Sequence, residues 1–167
     1  MKRLKGFAGI CLACLLSAGC HKSQDAAAPA SSTTASAASV RPAASANDTV
    51  WGNYLAAQGK IHGKDIAMHP YIYVIPAGDS PAATTRRQEE LDSISGAVGP
   101  ILIPGSLLIL GGPDSSQTAA FTLDLSKRLK ADALRGIVVL VIGETAQETT
   151  VTNTLKPTGA TVRFATM

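Results

Sequence analysis

The chain reads as an α/β domain, a small three-layer arrangement around a mostly parallel sheet of about four strands with flanking helices. Two observations predict it. Short apolar runs recur without polar alternation, which suits strands buried on both faces. Each of three such runs leads into glycine, then an acidic or hydroxyl residue, then a helix-like stretch. Units of this βαβ kind need right-handed crossovers, which lay the helices on the faces of an open sheet.

The elements follow in order. A short helix is expected around Val50–Gln58. The first strand is Tyr71-Ile72-Tyr73-Val74-Ile75-Pro76, ending in Ala77-Gly78-Asp79-Ser80-Pro81. Ser80 ahead of Pro81 places a capping side chain before a proline tolerated at the first helical position. The helix that follows buries Leu91, Ile94 and Val98. Its Arg86-Arg87-Gln88-Glu89-Glu90 run reads as a solvated face with local ion pairs. Ile101-Leu102-Ile103-Pro104-Gly105-Ser106-Leu107 is open to two readings. It is either a Pro-Gly turn between antiparallel strands or, preferred here, an extended approach into one strand.

The second strand is Leu107-Leu108-Ile109-Leu110, followed by Gly111-Gly112-Pro113-Asp114-Ser115. Asp114 with Gln117 has the spacing of a loose capping box. Phe121, Leu125 and Leu129 form one helical stripe, and Lys127, Arg128 and Lys130 suit the negative end of the helix dipole. The third strand is Ile137-Val138-Val139-Leu140-Val141-Ile142, before Gly143-Glu144-Thr145. Thr149–Thr154 is rich in β-branched residues and would also suit a strand. A Thr145/Glu148 capping box, the Val151/Leu155 spacing and Pro157 as a stop favour helix. Ala160-Thr161-Val162-Arg163-Phe164-Ala165 is a weaker fourth strand.

This domain spans 48–167, enough chain for one core. Ahead of it, 20–47 is dominated by Ala, Ser, Pro and Thr, with Val40 its one large aliphatic residue. Such a stretch cannot offset its ordering entropy and is expected to be a disordered tether. Roughly 27 residues of coil reach about 30 Å r.m.s., and on the order of 90 Å fully extended.

Residues 1–20, MKRLKGFAGICLACLLSAGC, open with Lys2, Arg3 and Lys5, continue through an apolar run from Phe7 to Leu16 and close on small residues. That is the layout of an export signal, its apolar part too short for a spanning helix. Leu16-Ser17-Ala18-Gly19-Cys20 resembles the lipobox of bacterial lipoproteins, with Ser17 where Leu is often found. The resemblance covers the first 20 residues alone. It implies cleavage before Cys20, which would carry a diacylglyceryl group and usually a further acyl chain. Cys11 and Cys14 would leave with 1–19, so the remaining chain would hold no disulfide and no catalytic thiol. Two or three acyl chains retain a protein at a membrane, each buried methylene contributing about 0.8 kcal/mol. His21 stands where enterobacterial lipoproteins kept at the inner membrane resemble one another in having Asp, and its presence implies the outer membrane, facing the periplasm.

Loss of Lys2, Arg3 and Lys5 from the 15 basic residues leaves a balance with the 12 acidic ones, so overall charge gives no support to nucleic-acid binding. In doubly wound sheets, ligands sit beyond the carboxyl ends of the strands near a switch in strand order. The candidate ligand-binding residues there are Asp79, Ser80, Asp114, Ser115, Ser116, Glu144 and Thr145. Three carboxylates could share a Mg²⁺ or Ca²⁺, and Gly111-Gly112 could cradle a phosphate. Each of these residues is also what a helix cap requires. Asp114-Ser115-Ser116-Gln117-Thr118 is similar to the metal-adhesion motif of von Willebrand A-type domains, with Thr for the last Ser, but this domain is short for that family. The glycines lack a full G-x-G-x-x-G spacing, no G-x-S-x-G elbow is present, and His62 and His69 have no recognisable ligand spacing. No cofactor, metal or catalytic set is therefore assigned. The reading is a lipid-anchored envelope protein whose domain binds another envelope component, in an assembly, regulatory or immunity role. The alternative is a small hydrolase or an anion- or metal-binding domain that uses the strand ends.

Overall fold

The computed structural model describes residues 40–167. Cys20, the expected leader and most of the expected tether lie outside the described residues. The element order is α1 (Asp48–His62), β1 (Pro70–Val74), α2 (Pro81–Ala97), β2 (Leu107–Gly111), α3 (Ser115–Arg128), β3 (Val138–Gly143), α4 (Thr145–Leu155), a 3₁₀ turn (Lys156–Thr158) and β4 (Thr161–Thr166). The four strands form one all-parallel sheet in the order β1-β2-β3-β4.

That order decides the layers. Every crossover steps to the next strand in the same direction, so right-handed connections put α2, α3 and α4 on one face. Their stripes Leu91/Ile94, Phe121/Leu125 and Val151/Leu155 pack on Leu108, Leu110, Val139 and Val141. The opposite face, Leu107, Ile109, Val138, Leu140 and Ile142, is covered by α1 through Trp51, Tyr54 and Leu55. The two rings of α1 meet edge to face, with centroids 5.7 Å apart. Both inner strands are buried along their whole length, which explains their uninterrupted Val/Ile/Leu composition. The outer strands are only partly covered and carry Tyr, Thr and Arg. Each fully buried aliphatic side chain contributes about 1.5–3 kcal/mol, which gives this doubly covered sheet its stability without cross-links.

Several boundaries differ from the sequence expectation. The first helix runs from Asp48 to His62, longer than Val50–Gln58 at both ends, because Asn47 caps it through a hydrogen bond from the Val50 N–H (3.0 Å) and Lys60 and His62 occupy its last turn. Val40–Ala46, placed in the tether by composition, reach back onto the domain. The Trp51 indole donates to the Ala43 carbonyl (3.3 Å), and Arg41 pairs with Glu144 (3.5 Å). The β-branched 149–154 stretch is helical, as the Val151/Leu155 spacing requires.

Residues 99–106 form neither a hairpin nor the preferred extended approach. Pro104-Gly105 make a tight turn, Gly105 at φ 93°, closed by the Ser106 N–H on the Ile103 carbonyl (3.0 Å). Ahead of it, Val98 and Leu102 form an isolated parallel bridge. The segment is a folded loop at the amino end of β2.

Candidate functional site

The carboxyl edge of the sheet is where the sequence places its candidate residues, and local capping rules put most of them there. Ser80 Oγ accepts from the Ala83 N–H (3.2 Å), and Asp114 Oδ1 accepts from the N–H groups of Ser116 (2.8 Å) and Gln117 (3.1 Å). These two caps match expectation. The third does not. Glu144 occupies the cap position of α4 with no side-chain cap bond, and Thr145 is the first helical residue. The Thr145 hydroxyl instead lies 3.4 Å from that of Thr166 at the end of β4.

The remaining polar groups tie neighbouring strand ends together. Gln117, at the start of α3, donates through Nε2 to Asp79 Oδ1 (2.9 Å), which joins the β1–α2 loop to the next unit. Buried Ser115 accepts the Glu144 N–H on its Oγ (3.1 Å), joining β2 to β3. Arg41 adds the segment before α1 through its pair with Glu144. Ser116 is exposed and contributes its backbone N–H to the Asp114 cap. The edge is thus a row of cross-ties, one between each pair of adjacent units.

Two expectations are corrected here. The strand order never reverses, so the sheet has no switch point and no crevice of the expected kind opens between diverging loops. Nor do Gly111 and Gly112 present a cradle. A Cβ on Gly112 would lie 2.1 Å from the Ile75 carbonyl oxygen, because the end of β1 is packed directly against it, and Gly111 accepts the Ile75 N–H (2.8 Å). The side of Gly112 on which a Cβ would stand is filled by the backbone of Ile75, so close strand packing is what requires glycine here. Among the described residues no three His, Cys, Asp or Glu gather into a potential metal site.

Arg87 also departs from the solvated-face reading. Its side chain is 14% exposed, with Nη1 donating to the carbonyls of Pro76 (2.9 Å) and Gly78 (2.6 Å), and it lies 3.8 Å from Asp79. It fastens the β1–α2 loop to the helix it precedes. Arg86 behaves as expected of that run, pairing with Glu90 one turn on, and it also reaches Asp48 of α1. Burial pushes the Glu90 carboxyl up from its ordinary value, against the pull of Arg86. Below Arg87 a shallow groove of about 200 Å³ runs between α2 and α3, lined by Leu91, Gln117 and Phe121 among others.

No family model, curated protein or solved structure matches the chain.

The opposite edge holds what composition did not single out. Ile101 and Ile103, in the loop between α2 and β2, are 53% and 42% exposed, among the most exposed large apolar side chains of the domain. On the α1 side of the same edge, Arg163 of β4 makes a two-pronged contact with Asp65 (2.7 and 2.6 Å) and also donates to the His62 carbonyl. The hydrogen bond from Arg163 holds the Asp65 carboxyl down at about 2. In the sequence the Ile101/Ile103 loop is marked by its Gly99-Pro100 and Pro104-Gly105 ends and not by lack of charge, since the whole stretch from Ser93 to Pro113 is uncharged.

Proposed function

We propose that the chain is a lipid-anchored envelope protein, acylated at Cys20, whose α/β domain binds another component of the envelope. The observation that supports binding over catalysis is the use made of the strand ends. Asp79, Ser80, Asp114, Ser115, Glu144 and Thr145 are engaged in caps and cross-ties between adjacent units. The lipobox-like run before Cys20 and the Ala/Ser/Pro-rich stretch after it supply anchor and tether. Among the described residues no helix is long and apolar enough to cross a membrane.

The test has two arms. Cys20→Ala should abolish acylation and release the protein from membranes, and a variant that stays membrane-bound in high salt would show that acylation is not the anchor. Capture of a specific envelope component should be insensitive to Asp79→Asn. Metal-dependent thermal stabilisation of the wild type, lost in Asp79→Asn and Asp114→Asn, would instead establish the strand-end reading of a metal-binding or hydrolytic domain.

A further inference from the structure

The amino-end edge of the sheet is built differently from its carboxyl edge. All four α-helices run toward it, so it collects helix carboxyl termini, where cations are favoured. Exposed lysines stand there: Lys60 in the last turn of α1, Lys64 just after it, Lys130 after α3 and Lys156 before β4. The carboxylates on this edge, Asp65 and Asp132, are each taken by an arginine, Arg163 and Arg135. None of the four lysines has an ion pair among the described residues, so the edge keeps a net positive charge.

On the same edge, directly before β2, stands the uncharged loop Gly99–Gly105. Its backbone is fixed rather than loose. The Ile101 and Leu102 N–H groups both reach the Ala97 carbonyl (2.9 and 2.8 Å), and Gly105 donates to Gly136 (2.7 Å). Leu102 is buried as an anchor while Ile101 and Ile103 on either side of it point outward. Two grooves flank the loop. One, of about 200 Å³, is lined by Lys60, Ile66, Met68 and Pro70; the other, of about 280 Å³, by Val98, Arg128, Leu129 and Lys130.

We propose that this edge docks on an anionic phospholipid surface, with Ile101 and Ile103 entering the headgroup–acyl boundary and the four lysines meeting lipid phosphates. The charge selects the sign of the partner, and the apolar tip selects a partner with an interior to enter. The residue types favour lipid over an acidic protein. Lysine is depleted in protein–protein contacts, whose strongest anchors are Trp, Tyr and Arg. Lysine stems instead suit a fluid layer in which the ammonium seeks phosphate while the methylenes stay near apolar groups.

The inference rests on the lipoprotein reading for bringing a membrane within reach. Residues 40–46 enter the domain at the carboxyl edge, so a chain anchored at Cys20 has to run the height of α1, about 22 Å, for this edge to face the same membrane. The 19 residues between Cys20 and Val40 reach about 24 Å r.m.s. as coil, and on the order of 60 Å fully extended, which suffices. Docking would turn a loosely held domain into one of fixed orientation, its carboxyl edge turned away from the bilayer.

The experiment uses the full chain with Ile103→Trp, read as the difference from wild type, whose Trp51 is fully buried. The probes are vesicles of brominated phosphatidylcholine with or without phosphatidylglycerol. The added indole should be quenched about twofold on the anionic vesicles, being 5–10 Å into the boundary, and remain in water on the zwitterionic ones. High salt should reverse the effect, and Lys60→Gln with Lys130→Gln should weaken docking about fivefold for each lysine. Ile101→Trp repeats the test at the other exposed isoleucine. Equal quenching on both lipids, or an indole that stays in water on anionic vesicles at low salt, would overturn the proposal, the latter leaving an acidic protein as the partner of this edge. The mass of the same purified chain at Cys20 reads the anchor separately, so failure of one reading is not mistaken for failure of the other.

Discussion

Replacing Gly112 by alanine separates a packing role from a ligand-cradling one. The new methyl would sit 2.1 Å from the Ile75 carbonyl oxygen and 3.2 Å from its nitrogen. Ordinary contact needs more than 1 Å of extra separation from that oxygen, and the obstacle is backbone, which cannot rotate away. Relief therefore requires the ends of β1 and β2 to part, which strains the Ile75 N–H to Gly111 carbonyl bond (2.8 Å) and displaces the fully buried Ile75 side chain. Overpacking costs about 1–3 kcal/mol and a weakened hydrogen bond about 0.5–1.5, so the variant should lose roughly 2–4 kcal/mol. With a slope of about 1–3 kcal/mol per molar urea, the unfolding midpoint should fall by roughly 1–2 M. The matched control is Gly96→Ala in the last turn of α2, where an added Cβ meets nothing within 4 Å. That change should stabilise by about half a kcal/mol or slightly more, through helix propensity. A Gly112→Ala protein with the wild-type midpoint would refute the account of the strand ends and reopen the glycine pair as a cradle.

Further expectations concern the cap and the clamp. Asp114→Ala removes an acceptor shared by two N–H groups and should cost about 0.5–2 kcal/mol in urea titrations, while Asp114→Asn, which keeps an acceptor oxygen, should lose less. Asp65 is a carboxylate whose folded value, about 2, lies below its ordinary 3.8 because Arg163 donates to it. Its contribution is therefore present above pH 3.8 and is lost as the pH falls toward about 2. Urea midpoints compared between wild type and Asp65→Asn should differ at neutral pH and converge through that interval. A difference unchanged across it would remove the clamp from the account of acid stability.

The central strands were legible because burial on both faces leaves no polar alternation, and Leu107–Leu110 and Ile137–Ile142 met that condition almost residue for residue. Ser80 and Asp114 were legible as caps because capping is local. Thr145 was misjudged by one position, since the helix starts at Thr145 behind Glu144, which makes no side-chain cap bond, and the Thr145 hydroxyl lies instead beside that of Thr166, a residue distant in sequence. Arg87 was misjudged because its partners are loop carbonyls, which composition cannot display. The strand order, and with it the missing switch point, depends on which strands lie side by side, as do the cross-ties from Asp79 to Gln117 and from Ser115 to Glu144. In the Gly99–Gly105 loop the Pro-Gly turn was visible, but its apolar tip reads like a strand until Leu102 alone is seen to be buried.

The claim on which the functional account turns is acylation at one residue, and intact-mass and peptide mass spectrometry of the protein taken from its native membrane test it directly. The account predicts an amino-terminal Cys20 carrying a diacylglyceryl group, with residues 1–19 gone. An unmodified Cys20 still joined to residues 1–19 would contradict it.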